Sequence, residues 1–169
     1  MEGFAQEFCD TFIAEVRRRL FEESLVRVRI CLRHLNEAEV WWRPNEESNS
    51  AGNILLHLCG NIRQWIVSGL GKATDTRERQ QEFDERGPIS KTVLLKRLEG
   101  VLEEVELVLE KVRPEDLLAV HPVQVYQESG ISILTHVTEH FSYHVGQLAY
   151  LVKLRKNIDT AFYGGQDLG

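Results

Sequence analysis

Three of the chain's six histidines stand four residues apart in Thr135-His136-Val137-Thr138-Glu139-His140-Phe141-Ser142-Tyr143-His144. At about 100° per residue, a step of four advances only about 40° around an α-helix, so the three line one strip of its surface. Ile133, Val137, Leu148 and Leu151 mark the apolar stripe of that helix; His140 and His144 fall in the middle of the stripe and His136 at its edge. Two imidazoles buried side by side lose hydration unless each ring nitrogen finds a partner. Each could be a structural histidine hydrogen-bonded within the core. A divalent metal offers the other solution, because it satisfies two ring nitrogens at once in the spacing of His-x-x-x-His helices.

A third nitrogen would have to come from elsewhere. His57, in Asn53-Ile54-Leu55-Leu56-His57-Leu58-Cys59-Gly60-Asn61, flanks the apolar face made by Ile54, Leu58, Ile62 and Trp65. It is either a polar boundary residue facing water or, if its helix packs against the late one, a third neutral ligand that leaves coordination positions open, as in catalytic sites. Glu139 and Tyr143 wheel to about 240° and 280°, away from the His140 and His144 centre, and no other carboxylate lies within a helical turn on the His57 side. Cys59 is about 200° round the helix from His57 and reads as packing. His121, beside Pro122, and His34 are isolated and read as loop or surface residues. Trp41, Trp42 and Trp65 read as core or interface aromatics, one of which could wall a metal pocket.

The elements that must position these residues are helices. Pro44, Pro88 and Pro114 punctuate long stretches of helical period. A first helix is predicted over about residues 4–35, with Phe4, Phe8, Phe12, Val16, Leu20, Leu25, Val28, Leu32 and Leu35 on its stripe. A second runs over about 50–69, from the capping candidates Ser48 to Ser50 to Gly69-Leu70-Gly71. Residues 72–87 are highly charged and read as a solvated connection, with room for a helical turn and anchored by Phe83. A third helix is predicted over about 90–112, before Pro114, and a fourth over about 131–157. Between these two, Val120, Val123 and Val125 alternate with polar neighbours, a short extended piece that does not call for a sheet. The tail from Ile158 carries Phe162 and Tyr163 and is expected to dock on the body. The expectation is an all-α chain, a four-helix bundle forming a single domain over residues 1–169.

Composition fits this reading. The 169 residues are enough for one domain with its own core. The net charge is -6, from 26 acidic against 20 basic residues, and the basic ones are scattered, which argues against nucleic acid as a partner. No apolar run approaches the roughly 18–20 residues of a membrane span, and Met1-Glu2-Gly3-Phe4 lacks a basic leader, so a cytoplasmic protein that does not engage a membrane is expected. Cys9, Cys31 and Cys59, odd in number and unclustered, read as reduced buried thiols.

His57 followed late by His140-Phe-Ser-Tyr-His144-Val-Gly146-Gln147-Leu148, the pattern His-x-x-x-His-x-Gly-Gln, resembles the DinB/YfiT-like superfamily of metal-binding four-helix proteins over nearly the whole chain. Trp41-Trp42-Arg43-Pro44, Asn49-Ser50-Ala51-Gly52-Asn53 and Gly60-Asn61-Ile62-Arg63-Gln64-Trp65-Ile66 resemble one bacterial branch of it. The resemblance implies an up-down-down-up bundle, often a homodimer, with a nickel or zinc ion on His57, His140 and His144. It also implies a metal-dependent enzyme, such as a thiol S-transferase using a low-molecular-weight thiol on a small-molecule substrate. The alternatives are a noncatalytic metal-binding helical dimer and a metal-dependent hydrolase. No catalytic residue is assigned, and His136 has no fixed role.

Overall fold

The computed structural model of the chain describes residues 2–167 and 169. Met1, which opens the N-terminal reading, and Leu168, in the tail, lie outside the described residues. Four long helical rods carry the fold. The first joins α1 (Glu2–Arg17) and α2 (Leu25–His34) through a π-helical stretch, Arg18–Ser24, so that helical backbone covers nearly all of the predicted first helix. A short α3 (Glu37–Val40) follows, capped by Asn36 and Glu39, each of which accepts from the other's backbone N–H at 2.9 Å. The second rod is α4 (Ala51–Ile62), extended in π-helical form over Arg63–Leu70. After a brief α5 (Arg79–Asp84) come the third rod, α6 (Lys91–Leu109), and then α7 (Pro114–Leu118). The fourth rod is α8 (Gly130–Lys156), ended by Asn157 in the left-handed conformation at φ 52°.

The side chains that meet across the rods fix their directions. Arg17 pairs with Glu106 and Arg29 with Glu99, so the first and third rods run antiparallel. Arg63 pairs with Glu104, and Gly71 abuts Val108, so the second and third run parallel. Val16 and Arg19 share a cavity wall with Thr135 and Thr138, while Glu39 pairs with Lys156 at the far end, so the first and fourth run parallel. His57 meets His140, and Trp65 meets His136, so the second and fourth run antiparallel. This is the up-down-down-up order. Leu20, Leu55, Leu58, Leu98, Leu102 and Phe141, drawn from all four rods, are fully buried in one hydrophobic cluster.

Three expectations change. Phe4 and Phe8 are 76% and 49% exposed, because the inward face of the first rod is Cys9, Ile13, Val16 and Leu20, one residue round from theirs. Residues 120–129 form a two-stranded antiparallel sheet, β1 (Val120–Val123) with β2 (Tyr126–Ser129), closed by a two-residue turn with Gln124 at φ 55°. The inward residues of β1 are His121 and Val123, a period of two. His121 is therefore buried rather than at the surface, its Nε2 donating to the Asp116 carbonyl at 3.0 Å. The tail lies against α2, where the Arg27 guanidinium is 5.8 Å from the Phe162 ring and 5.5 Å from that of Tyr163. No helix among the described residues is long and apolar enough to cross a membrane.

Trp41 locks the start of the second rod to the chain that returns toward the third. Its indole N–H donates to the Ile89 carbonyl at 2.9 Å, and its ring fills the space that a Cβ would take at Gly52, 2.7 Å away, and at Gly87, 2.9 Å away. Gly52→Ala is therefore expected to destabilise the fold by about 1–3 kcal/mol through overpacking, measured by urea unfolding followed by tryptophan fluorescence.

Candidate metal centre

The antiparallel contact of the second and fourth rods brings His57, His140 and His144 together. One ligand atom from each lies within 4.8 Å of the other two. His57 and His144 are 6% and 8% exposed, and His140 is half-buried. His140 Nε2 is 3.2 Å from His57 Nε2 and 3.2 Å from His144 Nε2. Nitrogens bound about 2.0–2.1 Å from a tetrahedral ion stand roughly 3.3–3.4 Å apart, so the spacing fits a metal.

The outer nitrogens set the tautomers of two of the rings. His57 Nδ1 lies 3.0 Å from Glu82 Oε2, which only accepts, and 3.2 Å from Arg77 Nη2, which only donates; the shorter carboxylate contact places the proton on Nδ1 and turns the Nε2 lone pair inward. His144 Nδ1 is 2.7 Å from Gln147 Oε1, with the same result, and the Gln147 amide N–H₂ donates to the Tyr143 hydroxyl at 3.0 Å. His140 Nδ1 is buried without a partner. Burial, and then the neighbouring His144, His57, His136 and Arg77, push the His140 imidazole down to about 3. Burial and His57 push His144 down to about 4. Both rings are neutral at pH 7, the state a metal ligand requires.

Glu82 and Arg77 are the residues that sequence reasoning missed. They lie in the charged connection read as solvated, yet their side chains are 10% and 4% exposed. Arg77 Nε donates to Glu82 Oε1 at 2.7 Å and Nη2 to Glu82 Oε2 at 2.8 Å, a bidentate pair. Burial works against the charge on Glu82, but the hydrogen bonds from Arg77 and His57 hold its carboxyl below the usual carboxylate range. The backbone follows the side chains: Asn53 Nδ2 donates to the carbonyls of Glu82 and Glu85, both at 2.9 Å, from the N-terminal turn of α4. Phe83, the predicted anchor, packs its ring 4.9 Å from that of His57. That single apolar residue, half-buried against the His57 ring, was the available signal that this stretch turns toward the core.

The other candidates fall outside the cluster. Glu139 is exposed and Tyr143 is 61% exposed, with its ring 5.0 Å from His144 on the outer side. Cys59 is half-buried, its thiol pushed up to about 12 by burial. His34 is half-buried at the end of α2. His136 stacks on Trp65, ring centroids 3.8 Å apart, and the two wall the cavity above His140.

Glu82 occupies space that only glycine leaves open. A Cβ on Gly60 would lie 1.9 Å from Glu82 Oε1 and 2.8 Å from Arg77 Nε. Gly60→Ala is expected to displace the carboxylate from the buried Arg77 guanidinium and so to lower thermal stability as well. Zinc affinity should fall about 10–100-fold, as when a partner of a ligating histidine is lost, measured by competition with a colorimetric chelator.

Comparison with known proteins agrees with the fold. A family model, protein of unknown function (DUF1572), matches residues 7–162. No curated protein matches the chain. Among solved structures, a conserved protein from Enterococcus faecalis superposes with a TM-score of 0.71 at 15% identity, over 83% of this chain and 95% of that one. A DinB-like protein from Bacillus subtilis, YjoA, gives 0.66 at 17% identity, over 88% and 97%. A DinB-like protein from Bacillus cereus gives 0.64 at 16%, over 80% and 87%. The chain thus has the DinB-like fold that its histidine motif pointed to, and it belongs to the family of proteins of unknown function DUF1572.

Proposed function

We propose that His57, His140 and His144 hold one divalent transition metal, nickel or zinc, and that the chain is a metal-dependent S-transferase working with a low-molecular-weight thiol. The observation that carries this reading is the set of three inner ring nitrogens, two of them turned inward as lone pairs by Glu82 and Gln147. One proton on His140 Nε2 can serve such lone pairs only weakly, whereas a cation takes all three nitrogens. A bound divalent ion supplies a Lewis acid that keeps a coordinated thiol in its anionic form at neutral pH.

The residues around the cluster favour a thiol over water as the nucleophile's source. Three neutral ligands leave the positive charge uncompensated, which suits an incoming soft anion. A hydrolase would need a base for water, and both Glu82 oxygens are already committed, to Arg77 and to His57. Glu82 therefore orients His57 rather than taking a proton from a bound water. Glu128 lines the adjoining cavity but accepts from the Ser132 hydroxyl. Phe83 packs against the His57 ring and Trp65 against that of His136, so the cluster has apolar neighbours on both sides.

Protein purified without chelator and given nickel or zinc is expected to carry about one ion per chain, and His140→Ala to lose it. Equal metal content in the two would overturn the metal assignment. The nickel or cobalt form is then titrated with bacillithiol, mycothiol, glutathione and coenzyme A, followed by the thiolate-to-metal charge-transfer band, before chlorinated or epoxide electrophiles are added. Metal-dependent turnover of esters or amides, with no thiol perturbing the spectrum, would replace the transferase with a hydrolase.

We further propose that the chain is a homodimer. Tyr143, Tyr150 and Leu154 are 61%, 70% and 54% exposed along one side of α8, an apolar stripe that a second copy would cover. Light scattering at micromolar concentration is expected to return twice the 19.5 kDa chain mass, and the single mass would count against the dimer.

A further inference from the structure

We propose that the cavity beside the three-histidine cluster binds a small carboxylate that also carries a hydroxyl or amine, and that Trp65, Asn61 and Arg79 recognise it. The cavity has a volume of about 350 Å³ and lies between the second and fourth rods, against the hairpin. That is the lower range of small-molecule sites. Among the described residues, four buried side-chain polar atoms have no hydrogen-bond partner: Asn61 Oδ1, Trp65 Nε1, His136 Nε2 and His140 Nδ1. All four residues line this one cavity. Asn61 and Trp65 are 4% and 5% exposed. A buried polar group left unpaired is costly, so four residues carrying such groups around one cavity mark a site to be completed by something polar.

The polarity of the wall defines the class. The Trp65 indole N–H is a donor only. Arg79 lies at the same cavity with its guanidinium 4.8 Å from the Phe83 ring, and among the described residues no carboxylate pairs with it. If His140 Nε2 faces a metal, as proposed above, its Nδ1 is a third donor; the recognition by Trp65, Asn61 and Arg79 does not depend on that reading. Donors and a guanidinium call for acceptor oxygens with negative charge, the chemistry of a carboxylate. Asn61 Oδ1 needs a donor in return, which a neighbouring hydroxyl or ammonium supplies, and the Glu128 carboxylate on the same cavity favours a donor beside it. The stacking of His136 on Trp65 holds the indole ring in place, which limits its reordering when a ligand arrives.

The test uses the indole N–H signals of the ¹⁵N-labelled full chain, whose three tryptophans are distinguished by assigning Trp65 through Trp65→Phe. L-lactate and L-serine are titrated into both the chelator-treated and the zinc-loaded protein, with propionate and 1,2-propanediol as probes lacking one of the two functions. The expected result is a saturable shift of the Trp65 signal with lactate or serine, with propionate and propanediol binding about tenfold more weakly. Arg79→Gln, an exposed substitution that leaves the fold intact, is expected to weaken binding about tenfold, and Asn61→Leu to do the same where it folds. No saturable shift of Trp65 with lactate or serine in either form, or equal affinities in Arg79→Gln and wild type, would overturn the proposal. Zinc content measured in the same samples keeps the two readings apart: zinc retained without a lactate or serine response overturns this inference alone, and a response in protein that takes up no zinc on loading overturns only the metal assignment.

Discussion

A carboxylate held in the interior between a guanidinium and an imidazole is the interaction on which the histidine cluster depends. Burying a charge is unfavourable unless it is paired and hydrogen-bonded, and Glu82 meets both conditions, with Arg77 on one side and His57 on the other. The arrangement fixes the His57 ring through its far nitrogen, so the near nitrogen turns to His140. Everything around the pair serves to keep it there. Gly60 leaves room for the carboxylate, Asn53 holds the backbone at Glu82 and Glu85, and Gln64 Oε1 accepts from Arg77 Nη1 at 2.8 Å.

The same Gln64 oxygen accepts from Gln124 Nε2 at 2.6 Å. Gln124 is the turn residue of the hairpin, so an unbroken run of polar contacts leads from the hairpin tip through Gln64, Arg77 and Glu82 to the ring of His57. The hairpin also sets Tyr126 6.2 Å from Trp65, on the far wall of the cavity. A small sheet on an otherwise helical chain is thereby joined both to the apolar wall and to the polar support of the site.

The rods and the three histidines were legible in the sequence because both are periodic. Apolar residues at three- and four-residue steps placed all four rods within a few positions of their observed bounds, and the same period put His140 and His144 on a buried strip; His57 fell only at the flank of its stripe, and the resemblance to DinB-like proteins singled it out. What escaped was not periodic. Arg77-Glu78-Arg79 and Glu82 have the composition of a solvated run, and nothing local distinguishes an Arg and Glu that pair in the interior from ones that point to water. Val120 to Ser129 was too short, and too mixed in its pattern, to declare a pairing that is completed by a turn with positive φ at Gln124, a residue without the glycine or asparagine signature of such turns. In α1 the phenylalanines outweighed the smaller Cys9 and Ile13 in the reading, although the smaller pair faces the interior.

The parallel run of the second and third rods has a geometric cost and a return. Two parallel neighbours cannot be joined by a tight turn, so the chain from 71 to 90 must travel back along the second rod before the third begins. It does so in contact throughout: the Thr74 carbonyl accepts from Arg63, Asp75 from Gln64, and the carbonyls of Glu82 and Glu85 from Asn53, with Gly87 closing on Trp41. An up-and-down bundle with short loops would have no backbone at mid-height beside His57. Here the parallel connection delivers a strap across the middle of the bundle, and the buried acid that aims the histidine is carried on that strap rather than on any of the rods.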